Sequence, residues 1–292
     1  MKNLLSLKHA VLATALASAL PALAGVPLNN LEGVGGVAFN PLAYTAGQNA
    51  DKDSLTNGLE SILSKPQAGA WYVHLGDDNI NWWSFGVAET FGQRLELSYG
   101  YELIRLGPQA PLGLTDTKEI SKHNLGAKLL VVRENEGGYN FIPAVAVGSI
   151  WKTTDYNVVP GSHRAGFDYY AVATKLITQT PLPVLISGGL LDTDEEVTGV
   201  LGHNPDHALT WFANIDVLPT SYLATGFEYK DGARFDNGVK NANYWDAHVA
   251  WFVNPHLTLV GAYTYTGHDY TDSPAGHLGL GGGVVLSAQY AF

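Results

Sequence analysis

The chain has 292 residues, with 16 Lys and Arg against 27 Asp and Glu, a formal net charge of −11 and no Cys. That acidic balance argues against nucleic acid as a partner, and against a pore for acidic sugars or phosphates, which would want a basic lining. Without Cys there is no disulfide, thiolate metal site or lipid-bearing Cys, so backbone pairing and burial alone must hold the fold.

The amino end reads as a secretory signal peptide over residues 1–24. Lys2 and Lys8 supply the positive region and VLATALASAL the apolar core, and Ala22-Leu23-Ala24 is a small-x-small cleavage site before Gly25. The apolar run is too short to span a bilayer and ends at Pro21. Residues 25–68 form a Gly-rich segment, too irregular for a helix. Gly33, Gly35 and Gly36 suggest backbone packed closely on another surface, which makes the segment a candidate lumen plug; a flexible leader is the plainer alternative. Residues 51–65 suit either a short helix or a turn-rich loop, ended by Pro66.

From Gly69 to Phe292 the chain falls into strands with period two. They are predicted over 70–75, 81–90, 94–104, 122–134, 139–151, 167–178, 183–191, 208–217, 221–230, 243–253, 256–266 and 278–291. In RLELSYGYEL, Arg94, Glu96, Ser98, Gly100 and Glu102 oppose Leu95, Leu97, Tyr99, Tyr101 and Leu103. In the last strand, Leu280, Val284, Leu286, Ala288, Tyr290 and Phe292 share one face, as in a strand with lipid on one side and a lumen on the other. No apolar run after the signal reaches eighteen residues, so a closed barrel is the remaining way to span lipid with every peptide group paired.

The connections alternate in length, as outer-membrane barrels require with short periplasmic turns and long external loops. Counting back from Phe292, GHDYTDSPAGH is long, Asn254-Pro255 short, DGARFDNGVKNA long, LPT short, DTDEEVTGVLGHNPDH long, TPLP short, KTTDYNVVPGSHRAG long, NEGG short, RLGPQAPLGLTDTKEIS long and Gly92-Gln93 short; only Gly76–Asn79 breaks the series, as a brief external turn. The predicted fold is all-β: a transmembrane antiparallel barrel of about twelve strands over 69–292, behind the Gly-rich segment. The predicted location is the outer membrane of a Gram-negative cell. Its partners there are lipid, lipopolysaccharide and the barrel-assembly machinery, the last reached through the strand ending at Phe292.

LEGVGGVAFNPLAY, LGAKLLVV, FIPAVAVGSIWK, GVLGHNPDH, TGFEYKDGARF and WDAHVAWFVNPHLTLVGAYTYTGH follow one another in this order. In this the chain resembles a proteobacterial family catalogued as domain-of-unknown-function family 3034. The likeness covers most of the chain after the signal. It departs at Leu42, where the family has Trp after the proline of the leader. The resemblance implies an outer-membrane barrel and adds no chemistry.

On the face opposite the lipid-type residues the pattern places Arg94, Glu96, Glu102, Lys128, Lys175, Asp216, Glu228, Lys230, Asp246 and His248 as lumen lining. Charges there must be hydrated or paired, which fits either a wet pore or an interior salt network. The primary expectation is a narrow or partly plugged passive channel for small neutral or cationic solutes. The alternative is a structural barrel with a filled lumen, whose external loops bind a surface partner or a divalent metal.

In the loops, His203, Asp206 and His207, with His268, Asp269, Asp272 and His277, have metal-type chemistry but sit beside Pro205 or in irregular sequence. They read as solvated, and no metal or cofactor is assigned. Asp192, Asp194, Glu195 and Glu196 read as a solvated acidic loop. Ser162-His163 has no Gly-x-Ser-x-Gly elbow and no partner at a useful spacing, so the reading is non-enzymatic. The seven Trp residues read as interfacial girdle.

Overall fold

The computed structural model describes residues 28–47, 63–76, 79–107, 118–156, 161–267 and 277–292. The signal peptide expected over residues 1–24, residues 51–62, and His268, Asp269 and Asp272 lie outside them.

Alternation along each strand builds the architecture. Twelve strands close into an antiparallel barrel. They are β1 (Gln67–Leu75), β2 (Ile80–Phe91), β3 (Leu95–Leu106), β4 (Lys118–Val132), β5 (Ala144–Thr154), β6 (Ala165–Ile177), β7 (Val184–Glu195), β8 (His203–Thr220), β9 (Leu223–Lys230), β11 (Tyr244–Phe252), β12 (Leu257–Tyr265) and β14 (Gly282–Ala291). Two short strands, β10 (Lys240–Asn241) and β13 (His277–Leu278), pair in parallel outside the wall. Sequence neighbours pair around the ring, and β1 against β14 closes it, with Gln67 opposite Ala291 and Leu75 opposite Gly283. Closure leaves no free sheet edge, the condition for β-structure in lipid.

The outer face is apolar. Trp83, Phe85, Leu97, Leu125, Phe167, Trp211, Phe227, Trp251, Tyr263 and Leu286 are exposed there. The last strand follows its predicted alternation, with Val284, Leu286, Ala288 and Tyr290 outward and Val285, Ser287 and Gln289 inward. Leu280 precedes the strand and turns inward, buried.

Boundaries differ from expectation in two places. Tyr139 and Phe141 belong to an exposed turn after a short 3-10 segment (Glu136–Gly138), and β5 begins only at Ala144. The stretch 192–207 is no solvated acidic loop. β7 runs to Glu195, β8 starts at His203, and residues 196–202 fold into the barrel mouth with Val197, Val200 and Leu201 buried. The apolar side chains that follow the acidic run 192–196 drive that turn inward, because outside they would face water.

Trp71 and Trp82 also depart from the girdle reading, being 2% and 3% exposed inside the barrel. Trp82 and Trp83 are adjacent on a strand, so one of them must face the lumen.

Candidate functional site

The lumen is occupied by the chain's own residues 28–47. This segment makes its own turns before it meets the wall. Asn30 Oδ1 accepts the N–H groups of Glu32 and Val34, both at 3.0 Å, and Leu31 N–H donates to Ala38 O at 3.0 Å. Gly33 has φ +85°, a conformation side chains resist, and stands on a glycine patch of the wall. Gly86 and Gly100 are cross-strand partners, and a Cβ on Gly86 would stand 2.6 Å from Gly33 Cα. On Gly100 a Cβ would run into the Glu32 carbonyl. Glycine at these wall positions lets backbone lie on backbone.

Three groups of wall side chains hold the hairpin. The first is Glu96 with Lys128, neighbours across β3 and β4 and 3.1 Å apart. Glu96 accepts Gly35 N–H at 2.9 Å and Ala46 N–H at 2.7 Å. Lys128 Nζ donates to the carbonyls of Gly35, Leu42 and Tyr44 at 2.8, 3.2 and 2.8 Å. One ion pair thus grips both arms of the hairpin through its backbone.

The second group is centred on Glu228 of β9, whose carboxylate accepts the N–H groups of Ala38, Phe39 and Asn40 at 2.5, 3.1 and 2.9 Å. Beside it lie Asp246, His248 and Asp216.

The third meets the hairpin tip. Glu32 is 2.5 Å from Lys152 and 3.4 Å from Lys122, which also engage Asp168, Glu195 and Glu102. Lys230 adds a contact to Glu195 at 3.4 Å. Lys122, Lys128 and Lys152 are fully buried, so each depends on these carboxylates and carbonyls. Lys122 also donates to Thr198 O at 2.5 Å, tying the inward loop to the same cluster.

Near the barrel seam, Asn29 N–H donates to Gln289 Oε1 of β14 at 3.1 Å, and Asn29 Nδ2 to Gln67 O of β1 at 3.4 Å. Trp71 Nε1 donates to Asn29 O at 2.8 Å. Tyr44 bonds Glu134 at 2.9 Å, and its burial raises the phenol well above its ordinary range. Between the hairpin and the wall a cavity of about 70 Å³ remains, bordered by Leu28, Val37, Leu42, Trp71, Asp216 and His248. At roughly 10–15 Å³ per water centre it holds a few waters.

A sequence profile described as "Protein of unknown function (DUF3034)" matches residues 25–273. The chain belongs to this family. No curated protein matches it in sequence. Solved structures do match in fold. The KdgM porin is 8% identical with a TM-score of 0.51, covering 77% of this chain and 99% of that one. KdgM in complex with disordered oligogalacturonate gives 9% and 0.52 over the same shares. The Acinetobacter baumannii outer membrane protein Omp33 gives 9% and 0.45, over 80% and 100%. At such identities the likeness is one of fold alone.

Of the ten residues read as lumen lining, Glu96, Glu102, Lys128, Asp216, Glu228, Lys230, Asp246 and His248 point inward in this DUF3034 barrel. Two are placed elsewhere. Arg94 lies in the turn before β3, where its guanidinium donates to Leu130 O and Val131 O and meets Glu136 at 3.3 Å. Lys175 shares the outward parity of Tyr169 and Phe167 and pairs at the rim with Glu134 at 3.1 Å.

The sequence reading passed over Glu32, Lys122, Lys152 and Asp168. Lys122, Lys152 and Asp168 sit at the inward parity of their strands and Glu32 in the leader, and for the three wall residues that parity is the signal that marks them. His203 is buried against Asp194 at 2.7 Å, while His207 is half-exposed near Asp192 and Asp194, so the two imidazoles take different surroundings.

Proposed function

We propose that this protein is an outer-membrane channel for small solutes, held closed by residues 28–47 and opened when that hairpin leaves the lumen. One observation carries the reading: the wall behind the hairpin is charged and grips it through polar backbone contacts. Apolar side chains would fill a permanently closed barrel at less cost, since replacing buried ion pairs by well-packed apolar residues is often neutral or stabilising by about 1–4 kcal/mol. A charged wall suits water once the hairpin is out. Among the described residues, the charge networks of the inward wall hold seven carboxylates (Glu96, Glu102, Asp168, Glu195, Asp216, Glu228, Asp246) against four lysines (Lys122, Lys128, Lys152, Lys230), which favours neutral and cationic solutes.

The test is single-channel conductance of the refolded barrel with and without residues 26–65. Larger or new steps on deletion support the reading. A second variant locks the hairpin in place instead. A Cβ on Gly126 would stand 3.0 Å from Val34 Cγ2, close to the Cβ-to-Sγ separation across a disulfide, about 3.0 Å for bonded sulfurs at 2.05 Å. The native chain has no Cys, so Val34→Cys with Gly126→Cys forms a single defined crosslink once the Ser98 hydroxyl rotates away. Conductance is expected only after reduction.

The inward loop 196–202 favours a second reading, a barrel filled for good that acts through its outer loops. Leu31 of the hairpin belongs to the same apolar cluster as Val197, Val200 and Leu201, so removing the hairpin unseats that loop under the channel reading. Silence of the deletion variant, with the barrel folded, favours the second reading.

A further inference from the structure

Within the lumen wall, three carboxylates and one imidazole converge without a lysine or arginine among them. Asp216 on β8, Glu228 on β9, and Asp246 and His248 on β11 all point inward and are buried. Register brings them together. Asp246 lies opposite Glu228, and His248 opposite Gly226, which itself lies opposite Asp216. Glycine is needed at 226, because a Cβ there would stand 2.6 Å from His248 Nε2. His248 Nε2 is 2.7 Å from Asp216 Oδ1, and Nδ1 is 2.7 Å from Asp246 Oδ1. One nitrogen of His248 and one oxygen each from Glu228 and Asp246 all lie within 4.8 Å of one another.

Charge separates this cluster from the one at the hairpin tip. There Glu32, Glu102, Asp168 and Glu195 face the ammonium groups of Lys122, Lys152 and Lys230. Here, among the described residues, the only ion-pair partner of the carboxylates is His248. Full protonation of His248 still leaves an excess of two negative charges, and buried charges are paired or coordinate metals. A second observation points to a ligand: Asp246 Oδ2 is buried with no hydrogen-bond partner. Asn214 Oδ1, on the amide that donates to Asp216, is in the same condition.

We propose that Glu228, Asp246 and His248 bind a divalent transition-metal ion, with Asp216 orienting the imidazole. When Nε2–H is donated to Asp216, Nδ1 carries the lone pair and faces Asp246 and Glu228. A carboxylate holding the far nitrogen of a metal-bound imidazole is a recurrent arrangement that fixes tautomer and ring orientation. Two ligands at about 2.1 Å on an ion stand about 3.0 Å apart at right angles and about 3.4 Å apart at the tetrahedral angle usual for Zn²⁺, so Nδ1 and Asp246 Oδ1 need to part by about 0.3 to 0.7 Å. One imidazole with carboxylate oxygens suits Zn²⁺, Mn²⁺ or Fe²⁺ rather than Cu⁺ or Ca²⁺. Glu228 has about four lone-pair sites, and three accept hairpin N–H groups, which leaves one for the ion. Ion and hairpin therefore share a carboxylate, so their binding is coupled, and each changes the affinity of the other by the same factor. The site goes beyond the channel reading and is measured without conductance, so either idea can fail alone.

The experiment uses the refolded chain without its signal peptide, stripped with chelator, its fold checked by heat-modifiable mobility. It is titrated with Zn²⁺ by calorimetry and with Mn²⁺ by electron paramagnetic resonance. One ion per chain is expected. Asp246→Asn and His248→Gln each abolish binding, while the positioning change Asp216→Asn weakens it by about 10- to 100-fold. Should His248→Gln fail to fold, Glu228→Gln takes its place beside Asp246→Asn. Absence of stoichiometric binding by the folded native chain overturns the proposal, as does unchanged affinity in Asp246→Asn. Affinity lost instead in His207→Ala overturns it too, and moves the ion to the outer rim.

Discussion

Replacing Lys128 by Met tests how the hairpin is held. Met keeps the length of the stem and removes the ammonium, so Gly35, Leu42 and Tyr44 each lose a donor and Glu96 loses its counter-ion. Removing one member of a buried pair costs about 3–5 kcal/mol, because the survivor stays buried and unpaired. Here that cost falls on the docked state alone, since withdrawal of the hairpin lets water reach Glu96. At about 1.4 kcal/mol per factor of ten, the docking equilibrium shifts by roughly two to three and a half orders of magnitude. Amide exchange at Gly35 and Ala46, whose N–H groups are bound to Glu96, reads this shift directly in detergent. Protease cleavage of the leader gives a second readout. A folded Lys128→Met barrel with native protection at both amides and an intact leader would refute the idea that this ion pair clamps the hairpin.

Three further outcomes follow from the same geometry. Gly100→Ala puts a methyl against the Glu32 carbonyl, where overpacking costs about 1–3 kcal/mol; leader protection should fall while barrel mobility on gels is unchanged. The barrel lacking residues 26–65 should pass potassium in preference to chloride, as its reversal potential in a salt gradient reports. Combined Glu102→Gln and Asp168→Asn should weaken that preference. Burial raises the Glu196 carboxyl although Asn204 donates to it at 3.0 Å. The tucked loop then holds a proton that the opened loop releases, so its stability is greatest at acidic pH and declines as pH rises out of the carboxylate range. Protection factors in 196–202, corrected for the intrinsic pH dependence of amide exchange, should fall over that rise, and Glu196→Gln should flatten the dependence.

The barrel was legible because lipid on one side and a lumen on the other impose period two on every strand. Most turns were legible because loop length sorts by end of the barrel; the exceptions are 133–143, longer than its side predicts, and 76–79, shorter. Charges in mid-strand, such as Glu96, Lys128, Glu228 and Asp246, were placed by parity. At strand ends parity fades: Arg94 belongs to a turn, and Lys175 sits at a rim where an outward ammonium reaches water and Glu134. The acidic run ending at Glu196 looked external because its partners, Lys122 and Lys152, come from strands more than forty residues away. Nothing local announces such a pairing. The leader's glycines hinted at close packing, while the surface they meet, Gly86 and Gly100, became visible only once β2 and β3 were in register.

Asn29 gives the hairpin a place in the order of assembly. It bonds at once to Gln289 and to the Gln67 carbonyl, on the last and first strands of the wall, which meet only when the ring shuts. The partners of the leader are thus spread along almost the whole polypeptide, up to 260 residues away. Its binding surface comes into being when the final strand is laid down. The contacts of Asn29 form together only once the ring has shut, so the seating of this turn acts as a readout that the cylinder around it is complete.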